Sequence, residues 1–446
     1  MQDFNISQAE KEQQAKVGTP FDASLEAGIQ QFLGGQDLAT SAKESGALVR
    51  QRGVSSALDL LRMVLGYSVL DYSLRLLGIW CTVVGIGSLS KTALLHRLGH
   101  CRIWMGKLVL QALLQQKVLL PKKPGVRVKL VDASVLTQPG SQGADWRMHL
   151  SFDLERMTMD AVELTDGRGA ERLGRFCFQP GEICIADRAY ALAKSLGHIC
   201  AQGAWLVVRT GWNRLALETE PGETFDLIAW LEAQDWEPQG TPREVQVWVQ
   251  TPQDRYALRL VAQALPASAV EKARRKVRQD AKKNHHTPDD RSLVAAGFIL
   301  VLTNLPSADW PMLLVLQLYR FRWQVELTFK RLKSVIHLDA LRCKDPELAQ
   351  VYLLGKLLGV IFMERLQLQV CDAYPDRFQS TQRPLSFWRL TTLLWQQLCQ
   401  AIRGPLTFQH FLDCWPSLWR YLCDEPRKRP QQAATARSLF QKLALG

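Results

Sequence analysis

The sequence predicts an α/β fold, with a mixed β-sheet at its centre and helices on both faces. Of the 446 residues, 47% are hydrophobic and 22% are charged, as in globular proteins with a large core. After residue 125 the apolar pattern changes from helical to alternating, and short strand-like segments then interleave with helical ones. This interleaving is typical of a sheet covered by helices.

The segment before the sheet, residues 1–120, is predicted to be helical. Its first 50 residues are polar, whereas apolar residues recur at three- and four-residue intervals from about Ser55 to Leu120. Within it, Ser88–His100 is predicted as a mildly basic helix with Ser88 or Ser90 as N-cap. We expect this region to bind DNA; the alternative is an ordinary helix-bundle element.

The sheet is predicted to begin after the linker Pro121–Gly125. Three strands separated by turn residues form an antiparallel meander: Val126–Ser134, Asp145–Leu154 and Met157–Asp166. A helical stretch near Glu171–Phe176, a buried strand within Gly181–Ala191, a helix and a second buried strand, Ala204–Thr210, follow in that order. The order of three strands, helix, strand, helix and strand fits a ribonuclease H-like fold.

An insertion interrupts this core at 211–295, where a hairpin (Arg243–Gln263) precedes a basic helix (Glu271–Lys283). The core resumes with a strand at Gly297–Pro306, and residues 343–446 are again helical. We therefore predict four regions. These are a helical DNA-binding region (1–120), the core (121–210 and 296–342), a β-rich insertion (211–295) and a helical region for dimerisation or DNA contact (343–446).

The stretch Tyr319–Lys333 is predicted to form one helix with a marked charge geometry. Tyr319, Arg322, Glu326 and Lys333 are spaced so that, at roughly 100° per residue, they fall within an arc of about 60°. One carboxylate is thus held among two cations and a phenol, and Lys330 lies close to the same line. This arrangement suits a phosphate backbone lying across a metal-binding acid, whereas the alternative is a solvated basic face.

The net charge of +12 and the pI of about 9.3 favour a polyanionic partner, with nucleic acid as the leading candidate. No run of about 18 uninterrupted apolar residues predicts a membrane span, and the polar N-terminus does not resemble a signal peptide. The ten cysteines form no C-x-x-C pair, which argues against zinc ribbons and disulfide frameworks. We therefore expect a cytoplasmic protein with reduced thiols and no membrane partner.

Three carboxylates are predicted to converge. Asp132 and Asp187 each end a predicted strand, and Glu326 on the later helix is able to reach the same point. Such hard oxygen ligands suit Mg²⁺ or Mn²⁺, and two ions roughly 3.5–4 Å apart would activate an in-line displacement at phosphorus. For any single aspartate, the alternative is a strand-end turn or cap.

Three blocks of the sequence resemble the DDE transposases of the insertion-sequence-4 type. They are VDASVLTQPGSQGADWRMHLSFDL, GEICIADRAYA and the Y-(2)-R-(3)-E-(6)-K spacing, and the resemblance covers roughly residues 50–345. It implies that Asp132, Asp187 and Glu326 are the catalytic, metal-binding triad, and that Tyr319, Arg322 and Lys333 complete the signature helix. It also implies a ribonuclease H-like core with a β-rich insertion before the glutamate.

The activity that this resemblance implies is cut-and-paste transposition by hydrolysis, hairpin formation and strand transfer. The partners would be double-stranded DNA, at the terminal inverted repeats and the target, and a second copy of the chain in a paired-end complex associated with the bacterial nucleoid. Two alternatives remain open on the same fold: a structure-selective nuclease that does not join DNA, and a non-catalytic DNA-binding derivative.

Further residues are candidates for DNA contact. Cations are expected to touch phosphates, or else to form a solvated face: Lys330, Arg188, Arg274, Arg275 and Arg278. In one relative a tryptophan before the strand that leads to the signature helix holds a flipped base, and this chain has Phe298 in that stretch. Base capture would then fall to Phe298, Trp212 or Trp248, each of which has the alternative of an ordinary core residue.

Overall fold

A computed structural model describes residues 25–35, 37–119, 127–237, 240–252, 254–373 and 386–404. Three predicted parts lie outside these ranges: the first 24 residues of the helical region 1–120, the linker at 121–125, and residues 374–385 and 405–446 of the helical region 343–446. The chain divides into two compact units. A helical unit contains residues 1–110, 345–360 and 393–446, and a sheet-containing unit contains residues 111–344 and 361–392.

Six helices in the first part of the chain build most of the described helical unit, and four of them begin at a polar N-cap. In order, they are α1 (Leu25–Phe32), α2 (Leu38–Glu44), α3 (Ala57–Ser68), α4 (Leu74–Val83), α5 (Lys91–Gly99) and the first half of α6 (Arg102–Leu119). Ser90 caps α5 by accepting a hydrogen bond from the Ala93 amide at 3.2 Å, which confirms one of the two predicted caps. The apolar faces of these helices are buried, with Leu60, Leu77 and Leu94 fully inaccessible.

Within the described residues, eight strands form one mixed sheet. They are β1 (Val128–Leu136), β2 (Trp146–Asp153), β3 (Thr158–Asp166), β4 (Ile183–Ala186), β5 (Trp205–Arg209), β6 (Arg243–Gln250), β7 (Arg255–Ala264) and β8 (Phe298–Thr303). Their order across the sheet is β3-β2-β1-β4-β5-β8-β7-β6. The first three form the predicted antiparallel meander, β4 and β5 run parallel to β1, and β8 runs antiparallel to β5. This confirms the predicted α/β fold with a mixed sheet.

In the part of the chain that the structure describes, eight further helices follow the meander. They are α7 (Ala193–Ala201), α8 (Leu227–Glu232), α9 (Ala267–Lys283), α10 (Asp290–Ala295), α11 (Met312–Arg320), α12 (Trp323–Ile336), α13 (Pro346–Ala373) and α14 (Phe387–Arg403). The core beside the sheet is apolar and fully buried at the central strands, for example at Ile185, Val207 and Leu302. The helix predicted near Glu171–Phe176 is only a single 3₁₀ turn, Leu173–Arg175, since glycines at 167, 169 and 174 disfavour a longer helix.

The insertion is less separate than the sequence predicted. Its hairpin, β6–β7, pairs with β8 in antiparallel register from Arg259–Thr303 to Ala264–Phe298 and so extends the central sheet at its edge. The predicted β-rich insertion therefore contributes two strands to the central sheet. The physical reason is that β8 would otherwise expose an unpaired edge, which the hairpin satisfies with backbone hydrogen bonds.

One helix in the described part of the chain is long and apolar enough to cross a membrane by length and composition, namely Pro346–Asp372 of α13. Of its most apolar window, 78% is buried inside the protein. Such burial is typical of the core helix of a globular domain, since a membrane span would present its apolar face outward.

Candidate active site

Two of the predicted carboxylates lie side by side on neighbouring parallel strands. Val131 of β1 pairs with Ala186 of β4, and Asp132 and Asp187 are the next residues. Asp187 directly follows β4, as predicted, whereas Asp132 lies within β1, so the expectation that it ends its strand is wrong. The physical reason is that β1 continues to pair with β2 as far as Leu136. Asp187 accepts a hydrogen bond from the Ala189 amide at 2.7 Å and so caps the 3₁₀ turn Arg188–Tyr190. The Ala133 amide donates to Asp132 at 2.8 Å. Each carboxylate is thus oriented by the backbone of its own loop or strand.

The stretch that carries the third carboxylate is not the single helix that the sequence predicted. Helix α11 ends at Arg320 and α12 begins at Trp323. At the junction the Phe321 and Arg322 amides donate to carbonyls three residues earlier, at 3.0 Å in each case, which is a tight 3₁₀ step. Helix α11 contacts β4 and β5 whereas α12 contacts β1, and packing on different strands explains a break that no proline or glycine signals.

The predicted neighbours nevertheless meet across this break. The Arg322 guanidinium forms an ion pair with Glu326 at 2.5 Å and lies 5.9 Å from the centre of the Tyr319 ring. The α12 face behind Glu326 is anchored by the buried Val325 and Leu332. The Tyr319–Arg322–Glu326 group therefore exists in the structure, although two helices rather than one hold it.

The electrostatics of Asp132 link the three carboxylates. Its pKa is raised to about 7, chiefly by burial and then by the charges of Asp187 and Glu326, while the Ala133 amide and Arg322 act in the opposite direction. An acid that is desolvated beside two like charges is costly to ionise unless a cation lies among them. Divalent cations prefer hard carboxylate oxygens, so the chemistry of these three residues suits a divalent metal.

Direct convergence on one point is not seen. In the ranges that the structure describes, no group of three His, Cys, Asp or Glu side chains is arranged to hold a single ion. The charges of Asp187 and Glu326 both act on Asp132. Glu326 itself forms an ion pair with Arg322. Binding of a cation would therefore compete with Arg322 for the Glu326 carboxylate.

A cleft of about 420 Å³ opens over Asp132 and Glu326. Its walls come from β1 and α12: Asp132, Ala133, Ser134, Glu326, Phe329, Lys330, Lys333 and Ser334. Lys330 is exposed and Lys333 is half-buried, so both cations border an open groove beside the carboxylates. A polyanionic backbone could lie there with its phosphates against the lysines.

The other arginines predicted to contact DNA differ in their exposure to solvent. Arg188, Arg275 and Arg278 are exposed. Arg274 is turned inward, because its Nε donates to the Leu293 carbonyl at 3.0 Å and ties α9 to α10. Arg274 is thus placed as a structural contact in this conformation.

The three aromatic residues considered for base capture have protein partners. The Trp212 indole donates to the Ser292 hydroxyl at 3.0 Å and carries Arg291 over its ring, while Phe298 packs edge-on against Trp236, with 5.0 Å between ring centres. Trp248 lies under the Arg255 guanidinium. Base capture by any of them stays a prediction.

The sequence argument missed two residues beside this site. Burial and Asp187 raise the pKa of Glu171, against the nearby Arg147, so Glu171 is a fourth carboxylate in the same field. Tyr190 is fully buried three residues after Asp187. The ADRAY motif offered a signal for Tyr190, but nothing in the sequence pointed to Glu171, which lies in an irregular loop.

Comparison with known proteins identifies the family of the chain. A family described as the transposase DDE domain matches residues 124–362. A putative transposase InsL for insertion sequence element IS186A of Escherichia coli (strain K12) is 34% identical over 354 residues, which cover 78% of this chain and 95% of the relative.

A transposase for insertion sequence element IS421 of Escherichia coli is 34% identical over 355 residues, with the same coverage. A transposase for insertion sequence element IS231F of Bacillus thuringiensis subsp. israelensis is 25% identical over 52% of this chain and 55% of the relative. The family match spans more than half of the chain and contains β1, β4 and α12 with their carboxylates. The chain therefore belongs to the DDE transposases of the insertion-sequence-4 type, enzymes with a ribonuclease H-like core that act on DNA and depend on a divalent metal.

Proposed function

We propose that Asp132, Asp187 and Glu326 are the catalytic triad and that together they hold two Mg²⁺ ions, or Mn²⁺ in their place. The observation that carries this proposal is the placement of Asp132 and Asp187 side by side on adjacent parallel strands, with the charge of Glu326 on α12 acting on Asp132. The desolvated Asp132 carboxylate, with Asp187 and Glu326 near it, is suited to act as a ligand of both ions. The ions would supply Lewis-acid stabilisation of charge at phosphorus.

The reaction is cleavage at the ends of the chain's own insertion sequence. Water attacks the phosphodiester, a P–O bond forms as the bond to the 3′-oxygen breaks, and a 3′-hydroxyl and a 5′-phosphate remain. The 3′-hydroxyl then attacks the opposite strand to give a hairpin, which water reopens before strand transfer into target DNA. In each step the carboxylates stay ionised and orient the attacking oxygen in line with the leaving oxygen.

The cations around the site hold the DNA in this proposal. Lys330 and Lys333 contact phosphates in the cleft, and Tyr319 and Arg322 position the cut end, with Arg322 leaving Glu326 when the site is loaded. The exposed face of α9 extends the footprint along the duplex. It consists of Lys272, Arg275, Lys276, Arg278, Lys282 and Lys283.

The assembly belongs to the proposal as well. A homodimer pairs two element ends at terminal inverted repeats, so that each active site serves one end. The helical regions at 1–120 and 343–446 supply DNA binding and dimerisation, and the protein works at the bacterial nucleoid.

The triad is tested by single amide substitutions: Asp132→Asn, Asp187→Asn and Glu326→Gln. Each removes a metal ligand but no phosphate contact, so nicking of element-end DNA in Mg²⁺ should fall by about 10³-fold or more while DNA affinity stays near that of the wild type. Asp309→Asn is the matched control. Asp309 is exposed in the loop after β8, and because β8 runs antiparallel to β5, this loop lies at the end of the strands opposite to Asp187. Nicking by Glu326→Gln at the wild-type rate would remove α12 from the catalytic site.

The joining step is checked with the same proteins and a pre-nicked element end that already carries its 3′-hydroxyl. A transposase joins this end to target DNA, whereas a nuclease on the same fold would leave it unjoined. Loss of joining in the triad variants, together with joining by Asp309→Asn, is the expected pattern.

A further inference from the structure

Tyr190 is fixed to the predicted metal ligand Asp187 by one tight turn. The Asp187 carboxylate accepts from the Ala189 amide, and the Tyr190 amide donates to the Asp187 carbonyl at 3.2 Å. These bonds define the 3₁₀ turn Arg188–Tyr190 that directly follows β4. The position of the tyrosine therefore depends on the same backbone that orients the carboxylate.

Tyr190 is buried in the apolar core of the sheet-containing unit. It is 0% exposed and belongs to the same buried apolar cluster as Val131 and Ala186, the residues immediately before Asp132 and Asp187. The strands that carry the two predicted ligands therefore border the cluster that holds the Tyr190 ring.

The hydroxyl of Tyr190 has no hydrogen-bond partner among the residues that the structure describes, although it is inaccessible to solvent. Burying an unpaired hydroxyl lowers stability, and a phenylalanine would fill the same space without that cost. Burial, and then the charges of Asp132, Glu171 and Asp187, raise the pKa of Tyr190. The phenol therefore stays protonated as a donor beside acidic acceptors.

We propose that Tyr190 is a positioning residue of the carboxylate site: when Asp132 and Asp187 hold a divalent ion, the Tyr190 hydroxyl donates a hydrogen bond to one of the two carboxylates and so fixes how they hold the ion. The inference rests on the proposed function of the triad. Tyr190 acts through the carboxylates and has no contact with DNA, because its side chain is fully buried. Groups that orient metal ligands in this way often change metal affinity when they are removed.

The test is Tyr190→Phe, which keeps the ring and removes the oxygen. Mn²⁺ binding to the metal-free protein without DNA, measured by electron paramagnetic resonance of free Mn²⁺, should weaken by about 10-fold. The Mn²⁺ concentration for half-maximal nicking should rise by a similar factor, while DNA affinity in EDTA stays at the wild-type value.

The control is Tyr352→Phe. Tyr352 is also 0% exposed, but its hydroxyl donates to Asp71 in the helical unit, so its loss should leave Mn²⁺ binding unchanged. Circular dichroism and the melting temperature monitor folding. Tyr190→Phe should melt no lower than the wild type, because the lost hydroxyl has no partner in the described protein.

Two outcomes separate the inference from the proposed function. If Tyr190→Phe binds Mn²⁺ and nicks DNA as the wild type does, or if it only melts at a lower temperature with Mn²⁺ affinity unchanged, Tyr190 is a core residue and the inference is wrong. If instead Asp132→Asn binds Mn²⁺ and nicks normally, the triad assignment fails before Tyr190 is considered.

Discussion

Lys330 and Lys333 lie three residues apart on α12, and both line the cleft beside Asp132 and Glu326. Each lysine that meets a phosphate releases a counterion, so its loss should lower the slope of log affinity against log salt by about one. We expect Lys330→Ala and Lys333→Ala to show this effect in fluorescence-anisotropy titrations of element-end DNA over a range of salt concentrations.

Arg156→Ala is the control for these titrations. Arg156 lies in the turn after Asp153, the last residue of β2, which pairs with Lys129 near the start of β1. Arg156 is therefore near the opposite end of the strands from Asp132. Its substitution should leave the slope unchanged. Slopes equal to that of the wild type for both lysine variants would mean that this face of α12 is solvated rather than bound to DNA.

Some individual residues could be identified from sequence and others could not. Asp187 directly follows a short buried strand, as predicted. Asp132 was predicted to end its strand but lies within β1, and the parallel pairing of Val131 with Ala186 is what brings it beside Asp187. The predicted role of Arg274 as a DNA contact differs from its inward placement, since helical periodicity does not show that α10 folds back over that side of α9. Glu171 could not be found because an irregular loop, with no period of its own, brings it near Asp187.

Helices and strands were predicted best where the spacing of apolar residues along the sequence is enough to identify them. The meander, β5, the β6–β7 hairpin and α9 lie within a few residues of their predicted bounds. The break between α11 and α12 was missed because the sequence has no helix breaker there, and packing on different strands imposes it. The hairpin was predicted correctly as a hairpin, but its pairing with β8 is a long-range contact that local sequence does not encode.

A second tie between elements joins α13 to the sheet. The pairing of β2 with β3 shifts so that Phe152 faces Met159 and Ser151 faces Ala161, which leaves Asp160 as the extra residue of a bulge. Glu364 of α13 accepts from the Met159 amide at 2.9 Å. Because Glu364 is buried, its pKa is raised to about 8, although Met159, Gln116 and Arg331 favour the ionised form.

This tie gives stability a definite pH dependence. The folded state binds the Glu364 proton more tightly than the unfolded state, so stability should fall as pH rises from about 4.5, with the full loss present above about pH 8. Glu364→Gln keeps an oxygen for the Met159 amide and carries no charge. It should remove this loss, which amounts to at most about 5 kcal/mol by linkage.

Urea unfolding at pH 5.5, 7 and 8.5 measures the effect. Glu271→Gln, at an exposed position on α9, is the control for removing one negative charge. A wild-type protein whose stability does not decline over this range, or a Glu364→Gln variant that declines in parallel with it, would contradict the assignment.

At the scale of the whole molecule, the likeness to relatives extends beyond the catalytic segment. The family match covers residues 124–362, whereas the alignment with the IS186A transposase spans 354 residues and 95% of that relative. Part of the helical unit is therefore shared as well. The chain of 446 residues carries a net charge of +12, so its excess of cations favours contact with DNA outside the active site as well as within it.

The proposed homodimer, with one active site for each element end, makes a prediction about mixed assemblies. If wild-type and Glu326→Gln chains are mixed equally before paired-end complexes form, random pairing gives about half of the complexes one working site. With competitor DNA added to block exchange, these complexes should stop after cutting a single end. A gel of a DNA carrying both ends would show single-end products on a plateau. Mixtures with Asp309→Asn should proceed to cleavage at both ends, and chains that act as independent monomers would eventually cut both ends in either mixture.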